Sequence, residues 1–330
     1  MRAEIQIARG IKSGGAEKHT VRLYFRSAAA DTLFMTTLAA EVCSLQSTPG
    51  LCLARMDTTQ SVTTEEISVE LFDRAVLSWN ASGPVRLEME VQGSWHAIAC
   101  DDPQLRARSS NVDTDLLVLA KPANAFRLRA MPLPGTRLSL LALAHWMHGS
   151  REPFGDAPSA AWGEVLRVPE RSQYSETQDA GRICSPTSLA MVLEYYGVRK
   201  STREVAEGVY DPLAKIYGNW PFNTAYAHRL AKLEACVRRA GSLRELESEI
   251  IAGRPVIVSH AWKAGDLDGA PLPESKGHLV VVIGFSPQGD VIVNDPAGQP
   301  GSVRHMYKRR QFYTTWLERA QGIIYCLSRR

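Results

Sequence analysis

Residues 181–197 read GRICSPTSLAMVLEYYG, and this stretch decides the fold of the second half of the chain. Pro186 stands near the start of the pattern, where the first turn of a helix tolerates its missing N–H group. Apolar side chains then recur at helical spacing, at Leu189, Val192, Leu193 and Tyr196. Gly197 is a typical helix stop. The pattern therefore predicts a helix that begins close to Cys184.

Cys184 would lie at the N-terminal end of this helix. Unpaired backbone N–H groups and the positive end of the helix dipole favour a thiolate at that position. A buried structural cysteine is the more frequent use of a single cysteine. The helix alone therefore leaves two interpretations, a reactive thiol and a structural one.

The composition is ordinary for a globular protein, with 45% hydrophobic and 22% charged residues among 330. That length is enough for two domains. The net charge of +3 is too small to favour nucleic acid as a partner. No stretch has the apolar length of a membrane span or the pattern of a signal peptide. We therefore expect no nucleic acid partner, no membrane span and a cytoplasmic location, with a secreted mature form as the alternative.

The six cysteines are scattered along the chain. No CxxC motif and no Cys/His cluster has the spacing of a zinc site. We therefore expect no metal and no disulfide framework.

Residues 1–150 are predicted to form a β-rich domain. Apolar and polar residues alternate at 3–8, 21–25 and 85–91. Alternation indicates one buried and one solvated face, which favours an antiparallel β-sandwich. Trp79, Trp95 and Trp146 are either ligand-facing aromatic residues or, more commonly, core residues. We interpret this part as a binding or accessory domain, with a glycan or a protein as its ligand.

Residues 151–164 combine Pro, Gly, Ser and charges without periodicity, which is typical of a linker. The remainder, 165–330, mixes helical and strand patterns and is predicted to be an α+β domain. The patterns predict helices that start at capping boxes at Ser201 and Ser242, a helix at 224–240, a buried strand at 255–259, a final helix around 310–319 and a strand at 322–327.

Two apolar strands, 278–285 and 291–295, flank a proline-containing turn and predict a hairpin. His278 opens the first strand and Asp295 closes the second. If the strands pair about the turn, the two residues lie nearly opposite, with Cβ atoms about 4.5–5.5 Å apart. A carboxylate at that distance can hold an imidazole ring. Asn294 is the alternative orienting residue. Strand alternation sends Asn294 and Asp295 to opposite faces, so only one of them can face His278.

A cysteine at a helix N-terminus and a carboxylate-oriented histidine are the groups that thiol acyl transfer requires. In that chemistry Cys184 attacks a carbonyl group, His278 protonates the leaving amine and Asp295 fixes the histidine tautomer. The oxyanion requires at least two donors, and the backbone N–H of Cys184 and an upstream side-chain amide are suited to it. Gln173 and Gln178 are both candidates for that amide.

Five motifs then follow one another along the second half of the chain. They are VPERSQ at 168–173, CSPTS at 184–188, GNWPFN at 218–223, GHLVV at 277–281 and VNDP at 293–296. Their order resembles that of C39-like cysteine peptidases, which have a papain-like fold, and the resemblance covers about 165–330. It implies Cys184 as nucleophile, His278 as base and Asp295 as orienting residue.

The resemblance also bears on the oxyanion donor. Family members with this Ser-Gln element carry the oxyanion glutamine there, which favours Gln173, whereas Gln178 matches the spacing of papain and of transporter-fused peptidases. Many members have glycine after the cysteine, whereas this chain has Ser185, so access to the nucleophile is expected to differ. The segments at 78–81 and 112–115 resemble, more weakly, the β-sandwich that precedes the peptidase domain in some members.

Three further residues are weaker candidates for lining the cleft. Asn219 and Trp220 would form a wall of the cleft, or Trp220 packs its loop against the following helix. His260 follows the predicted strand 255–259, and we interpret it as structural rather than cleft-lining.

We therefore predict an N-terminal antiparallel β-sandwich followed by a papain-like cysteine peptidase domain, α+β as a whole. The expected activity is cleavage of a peptide or other amide bond through an acyl-thioester on Cys184. No cofactor is expected, because a thiolate and an imidazolium suffice for this reaction. One alternative is an acyltransferase or transpeptidase that uses the same triad. The other is a non-catalytic binding protein with a degenerate peptidase fold.

Overall fold

A computed structural model describes residues 17–21, 24–25, 43–48, 50–102, 109–176 and 178–329. The chain divides into two compact units, Met1–His148 and Gly149–Arg330. The strand predicted at 3–8 and part of the one at 21–25 lie outside the described residues. Within the described ranges, no helix is long and apolar enough to cross a membrane.

The described part of the first unit consists of antiparallel strands. They are β1 Glu17–Val21, β2 Tyr24–Phe25, β3 Cys43–Thr48, β4 Leu51–Thr58, β5 Val62–Thr63, β6 Ile67–Ala81, β7 Val85–Val91, β8 Ser94–Cys100, β9 Val112–Asp113, β10 Leu116–Pro132 and β11 Leu138–Trp146. The long strand β10 pairs first with β6 and then, from Arg127 onward, with β7. The β-rich, antiparallel character is thus confirmed, while the sandwich arrangement remains a prediction.

The three tryptophans considered as ligand-facing residues have different surroundings. Trp79 and Trp146 are buried, with 0% and 4% of their surface exposed, and belong to the core. Trp95 is only partly buried, and the Arg129 guanidinium lies 3.9 Å from its ring centroid. A glycan or protein ligand of this unit remains a prediction, and of the three rings only Trp95 lies where such a ligand could reach it.

The second unit mixes helices and strands, as predicted. Its helices are α1 Cys184–Tyr195, α2 Thr202–Val209, α3 Trp220–Ala231, α4 Leu243–Ile251 and α5 Arg309–Tyr313, with a π-helical continuation at Thr314–Arg319 and 3₁₀ turns at Gln173–Ser175 and Ala180–Arg182. Its strands are β12 Glu234–Arg239, β13 Val256–Trp262, β14 Ser275–Phe285, β15 Val291–Asn294, β16 Arg304–Tyr307 and β17 Ile323–Ser328. They form one antiparallel sheet in the order β12-β17-β13-β14-β15-β16.

Helix α1 lies at the centre of this unit. It begins at Cys184, and Gly197, with φ +89°, follows its end, as predicted. The structure buries it on more than one face, because every side chain from Ser185 to Leu193 is inaccessible to solvent. Its apolar residues share a cluster with Leu279, Val281 and other residues on one side of the sheet. Val280 and Val282 alternate with these residues and belong to a second cluster on the other side.

The helix predicted at 224–240 is wrong in both boundaries. Asn219 is the N-cap, so α3 starts at Trp220, four residues earlier than predicted. Lys232 then adopts a left-handed conformation, with φ 55°, and ends the helix. The residues that follow form β12, whose pairing with β17 outweighs the helix-like spacing of Leu233 and Val237.

The segment expected to be a linker belongs to the second unit. Phe154 and Trp162 pack against the cluster that contains Val280, and the Trp162 indole N–H donates to Glu247 Oε1 at 3.0 Å. Residues 163–166 pair with the end of β14, where a Cβ on Gly284 would overlap the Glu164 carbonyl oxygen. The approach of the two backbones therefore requires glycine at that position.

Candidate active site

Cys184 is the first residue of α1 and is partly exposed. Ile183 precedes the helix, and no side chain caps it, since an isoleucine cannot accept a hydrogen bond. The first backbone N–H groups of the helix are therefore left without a capping side chain next to the thiol. Such groups stabilise negative charge, both on a thiolate and on an oxyanion.

His278 and Asp295 form a buried pair, with 2% and 1% of their surface exposed. His278 Nε2 lies 2.7 Å from Asp295 Oδ1. The other ring nitrogen, Nδ1, is thereby left for the Cys184 thiol, whose pKa is lowered by its interaction with His278. The structure thus brings the three predicted residues together in the order thiol, imidazole, carboxylate.

The two residues are not directly opposite each other, which corrects the expected register. Val282 pairs with Val293, but Gly284 pairs with Ile292, so β14 contains one extra residue, a β-bulge. With Val281 opposite Asn294, the register places Asp295 level with Val280, two residues from His278 on the same face. Residues in such a diagonal relation have Cα atoms about 7–8 Å apart, a distance that these side chains span.

The bulge decides which face Asp295 occupies. If the same sequence paired without a bulge, starting from Gly284 opposite Ile292, Asp295 would lie level with Val281, whose side chain joins the cluster on the opposite side of the sheet from Val280. A shift of one residue moves a strand's side chains to the other face. The hairpin pattern alone does not show this bulge.

Tyr307 completes the surroundings of the carboxylate and was missed by the sequence reasoning. Its hydroxyl donates to Asp295 Oδ2 at 2.7 Å, and the backbone N–H of Ala297 donates to Oδ1 at 2.8 Å. Tyr307 ends β16 and is 1% exposed. The only local signal is a tyrosine at the end of a short strand, and this does not indicate which residue its hydroxyl contacts.

The charges of these groups shift their pKa values in mutually supporting directions. Burial alone would raise the pKa of the Cys184 thiol, but the hydrogen bond and charge of His278, together with the Leu279 N–H, bring it below its ordinary value. Burial opposes the charged form of His278, yet Asp295 and Cys184 raise its pKa to about 10. The imidazolium in turn holds the pKa of Asp295 at about 2 against the effect of burial. A thiolate–imidazolium pair is the favoured state.

Of the two glutamines, Gln173 is buried and Gln178 is exposed. The Gln173 backbone N–H donates to the Pro296 carbonyl at 2.8 Å, and the Ser172 hydroxyl donates to the Gly298 carbonyl at 2.6 Å. These bonds tie the segment to the loop that directly follows Asp295. The Gln173 side-chain oxygen is buried and has no hydrogen-bond partner within the described residues.

Ser185, which replaces the more usual glycine, points away from the thiol side of the helix. Its hydroxyl donates to Asn223 Oδ1 at 3.0 Å and lies 3.1 Å from the Tyr325 hydroxyl. The side chain is fully buried. Its hydrogen bonds join the start of α1 to α3 and β17.

Asn294 and His260 have other contacts, as expected. The Asn294 amide donates to the carbonyls of Val168 and Pro169, at 3.1 and 3.2 Å, and not to His278. His260 lies opposite His278 in the neighbouring strand, and its Nδ1 lies 3.0 Å from the Thr315 hydroxyl. Burial lowers the pKa of His260 to about 3, so it is neutral.

The two residues expected at a cleft wall are used in packing and capping. Asn219 Oδ1 accepts from the Phe222 N–H as the N-cap of α3, and its amide donates to Asp211 Oδ2 at 2.8 Å. Trp220 is partly buried and packs against the cluster that contains α1. Their contribution to a cleft remains a prediction. In the described ranges, no group of three or more His, Cys, Asp or Glu side chains is arranged to hold a metal ion.

Part of the second unit also matches a known family in sequence. The model of the Peptidase_C39 like family matches residues 165–324. A search of curated proteins gave no match.

Among solved structures, the chain is similar to a protein from Bacillus anthracis described as a C39-like peptidase, with 20% identity over 50% of this chain and 98% of that one and a TM-score of 0.38. It is also similar to the peptidase domain of Streptococcus ComA, a bifunctional ABC transporter, with 18% identity, 51% and 99% coverage and a TM-score of 0.32. A double glycine motif protease of an AMS/PCAT transporter, in complex with its leader peptide, has 22% identity, 50% and 93% coverage and a TM-score of 0.32.

At this identity and TM-score, the structural likenesses support no conclusion about substrate or activity. The family match agrees with the predicted resemblance in both position and extent. Residues 165–324 match the model of the Peptidase_C39 like family, and the solved structures with which the chain aligns include C39-like peptidases.

Proposed function

We propose that the second unit is a cysteine peptidase or amidohydrolase in which Cys184 is the nucleophile, His278 the base and Asp295 the orienting residue. The observation that carries the proposal is the buried His278–Asp295 pair, with Nε2 2.7 Å from Oδ1, next to a partly exposed thiol at a helix N-terminus. The lowered pKa of Cys184 and the raised pKa of His278 support it, because both favour the reactive ion pair.

In the first half of the reaction, the Cys184 thiolate attacks the carbonyl carbon of the scissile amide. The carbonyl electron pair moves to oxygen, and the resulting oxyanion is held by the Cys184 backbone N–H and the Gln173 carboxamide. When the intermediate collapses, His278 Nδ1–H protonates the leaving amine. The acyl group remains on sulfur as a thioester.

In the second half, neutral His278 takes a proton from water, and the hydroxide attacks the thioester. Collapse of this intermediate releases the carboxylic acid and returns the thiolate and the imidazolium. Asp295 holds the ring in one orientation throughout. If an amine replaces water as acceptor, the same thioester yields a new amide, and product analysis in the presence of added amines separates this transferase alternative from hydrolysis.

Gln173 is the better supported of the two oxyanion candidates. Gln178 is exposed, whereas Gln173 is held against the loop that follows Asp295.

The non-catalytic alternative requires a thiol out of reach of His278. The partly exposed thiol and the lowering of its pKa by His278 disfavour that alternative. The test is the pH dependence of iodoacetamide labelling, followed for each cysteine by peptide mapping. We expect Cys184 to react well below the pH at which an ordinary thiol does, and the buried Cys236, whose pKa is raised by burial, to serve as the internal control.

The His278→Ala variant tests the partner. It should shift Cys184 labelling to higher pH while leaving Cys236 unchanged. A Cys184 thiol that labels no faster than Cys236, or that keeps its profile in His278→Ala, would contradict the proposal.

A further inference from the structure

A pair of cysteines lies outside the proposed active site, at one edge of the sheet of the second unit. Cys236 on β12 is directly opposite Cys326 on β17 in the antiparallel register. Directly opposite residues point to the same face, so the two thiols face each other. Both are free, and β12 is the edge strand of the described sheet.

The backbone geometry of such a pair is close to that of a disulfide. Opposite residues in antiparallel strands have Cα atoms about 4.5–5.5 Å apart, within the roughly 4.4–6.8 Å that disulfides span. Their Cβ atoms are about 4.5–5.5 Å apart, against about 3.8 Å in a typical disulfide. The bond therefore requires an approach of about 1 Å, and an edge strand, with a neighbour on one side only, can move that far.

We propose that Cys236 and Cys326 are a redox modification site, at which a low-molecular-weight disulfide converts the two thiols into a reversible cross-strand disulfide. This inference is independent of the proposed peptidase activity, since neither residue belongs to the triad.

The surroundings of the two thiols differ, which sets the order of the reaction. Cys326 is partly exposed, and Arg238 Nη1 lies 3.8 Å from its sulfur. Burial and Glu249 raise the pKa of Cys326 to about 11, although Arg238 and Arg254 oppose this. Cys236 is 7% exposed, and burial, followed by the nearby charge of Cys326, raises its pKa further from the ordinary range. Cys326 therefore reacts first, and mildly alkaline pH favours the reaction.

With glutathione disulfide as oxidant, the Cys326 thiolate attacks one sulfur and displaces one glutathione thiolate, leaving a mixed disulfide. Cys236 then loses its proton, attacks the Cys326 sulfur and displaces the second glutathione. Two protein thiols are oxidised, and one glutathione disulfide is reduced to two thiols, which take up the two protons. A thiol reductant reverses both steps.

The bond would close a long loop, because the chain between Cys236 and Cys326 includes most of the strands of the sheet. Closing a long loop lowers the entropy of the unfolded chain. The oxidised protein should therefore unfold at a higher temperature than the reduced one.

The experiment uses the full-length Cys184→Ser protein, so that the most reactive thiol does not consume the oxidant. The folded protein is incubated with excess glutathione disulfide at mildly alkaline pH, quenched with an alkylating agent and digested with trypsin. We expect peptide 233–238, LEACVR, joined to peptide 320–329, AQGIIYCLSR, and separated again by a reductant. Cys52 and Cys100, which lie opposite Ser47 and Arg86, are controls that should form no such link.

Two variants test the order of the steps. Cys236→Ser should accumulate the glutathione adduct on Cys326, and Cys326→Ser should remain largely unmodified at Cys236. Failure of the folded protein to yield the linked peptides, or their formation only in urea, would overturn the proposal. A melting temperature that does not rise on oxidation would overturn the inferred closure of the native structure.

Discussion

Replacing Tyr307 by phenylalanine removes one hydroxyl from the buried surroundings of Asp295 and leaves the ring in place. The lost hydrogen bond, 2.7 Å from Oδ2, is made to an ionised group, and such bonds contribute about 1.5–3 kcal/mol. For a unit of this size, each kcal/mol corresponds to roughly 2–4 °C in Tm. We therefore expect the Tm of the second unit's transition to fall by roughly 3–12 °C.

The same substitution should also raise the pKa of the Cys184 thiol. Without the hydroxyl, the Asp295 carboxylate loses a contact that fixes its orientation toward His278 Nε2, so it holds the imidazolium less well. The thiolate then loses part of its partner's charge, so its pKa rises. Iodoacetamide labelling of Cys184 should move to higher pH, an effect that loss of packing alone would not produce.

Tyr195→Phe is the matched control. The Tyr195 hydroxyl donates to the neutral Gly253 carbonyl at 2.8 Å, at the opposite end of α1 from Cys184, so its loss should cost about 1 kcal/mol. It should leave the labelling profile of Cys184 unchanged. A Tyr307→Phe protein with the wild-type Tm and the wild-type labelling profile would refute the assignment of Tyr307 to Asp295.

Three further predictions concern the site and its support. Gln173→Ala should lower kcat by about 10²–10³ once a substrate is in hand, as loss of an oxyanion donor does, whereas the exposed Gln178→Ala should change it little; equal losses would contradict the choice of Gln173. In Cys184→Ser, Asp295 still raises the pKa of His278, which is about 10 in the wild type. The contribution of protonated His278 to the free energy of unfolding is therefore complete below about pH 6.5 and is lost as the pH rises toward the folded pKa. Urea midpoints measured against pH would show this decline, and a flat profile would contradict it. Gly284→Ala should destabilise the unit by about 1–3 kcal/mol, because the added methyl group meets the backbone of the 163–166 segment; an unchanged urea midpoint would mean that the segment is not held there.

The features that were predicted correctly from the sequence depend on residues that are close together in the chain. The start of α1 at Cys184 depends on a few adjacent residues, and so does the capping box of Ser201, which the structure confirms. The second capping box is only partly formed, since the Ser242 side chain makes no cap while Glu245 accepts from the Gly241 N–H. These features need no knowledge of distant parts of the chain.

What escaped prediction depends on pairing between distant segments. Residues 234–239 have the spacing of a helix and become a strand because β17, more than eighty residues later, lies beside them. Tyr307 reaches Asp295 only through the pairing of β16 with β15. Neither contact leaves a periodic pattern in the sequence, so residue spacing cannot reveal it.

The bulge in β14 has a consequence for how this chain can change in length. Ile283 is the extra residue, so deleting it would leave Val282 opposite Val293 and Gly284 opposite Ile292. Asp295 would stay level with Val280, on the face of His278. An insertion within the turn at 286–290 would leave the strand register as it is. The site geometry should therefore tolerate the loss of the bulge residue as well as insertions in the turn.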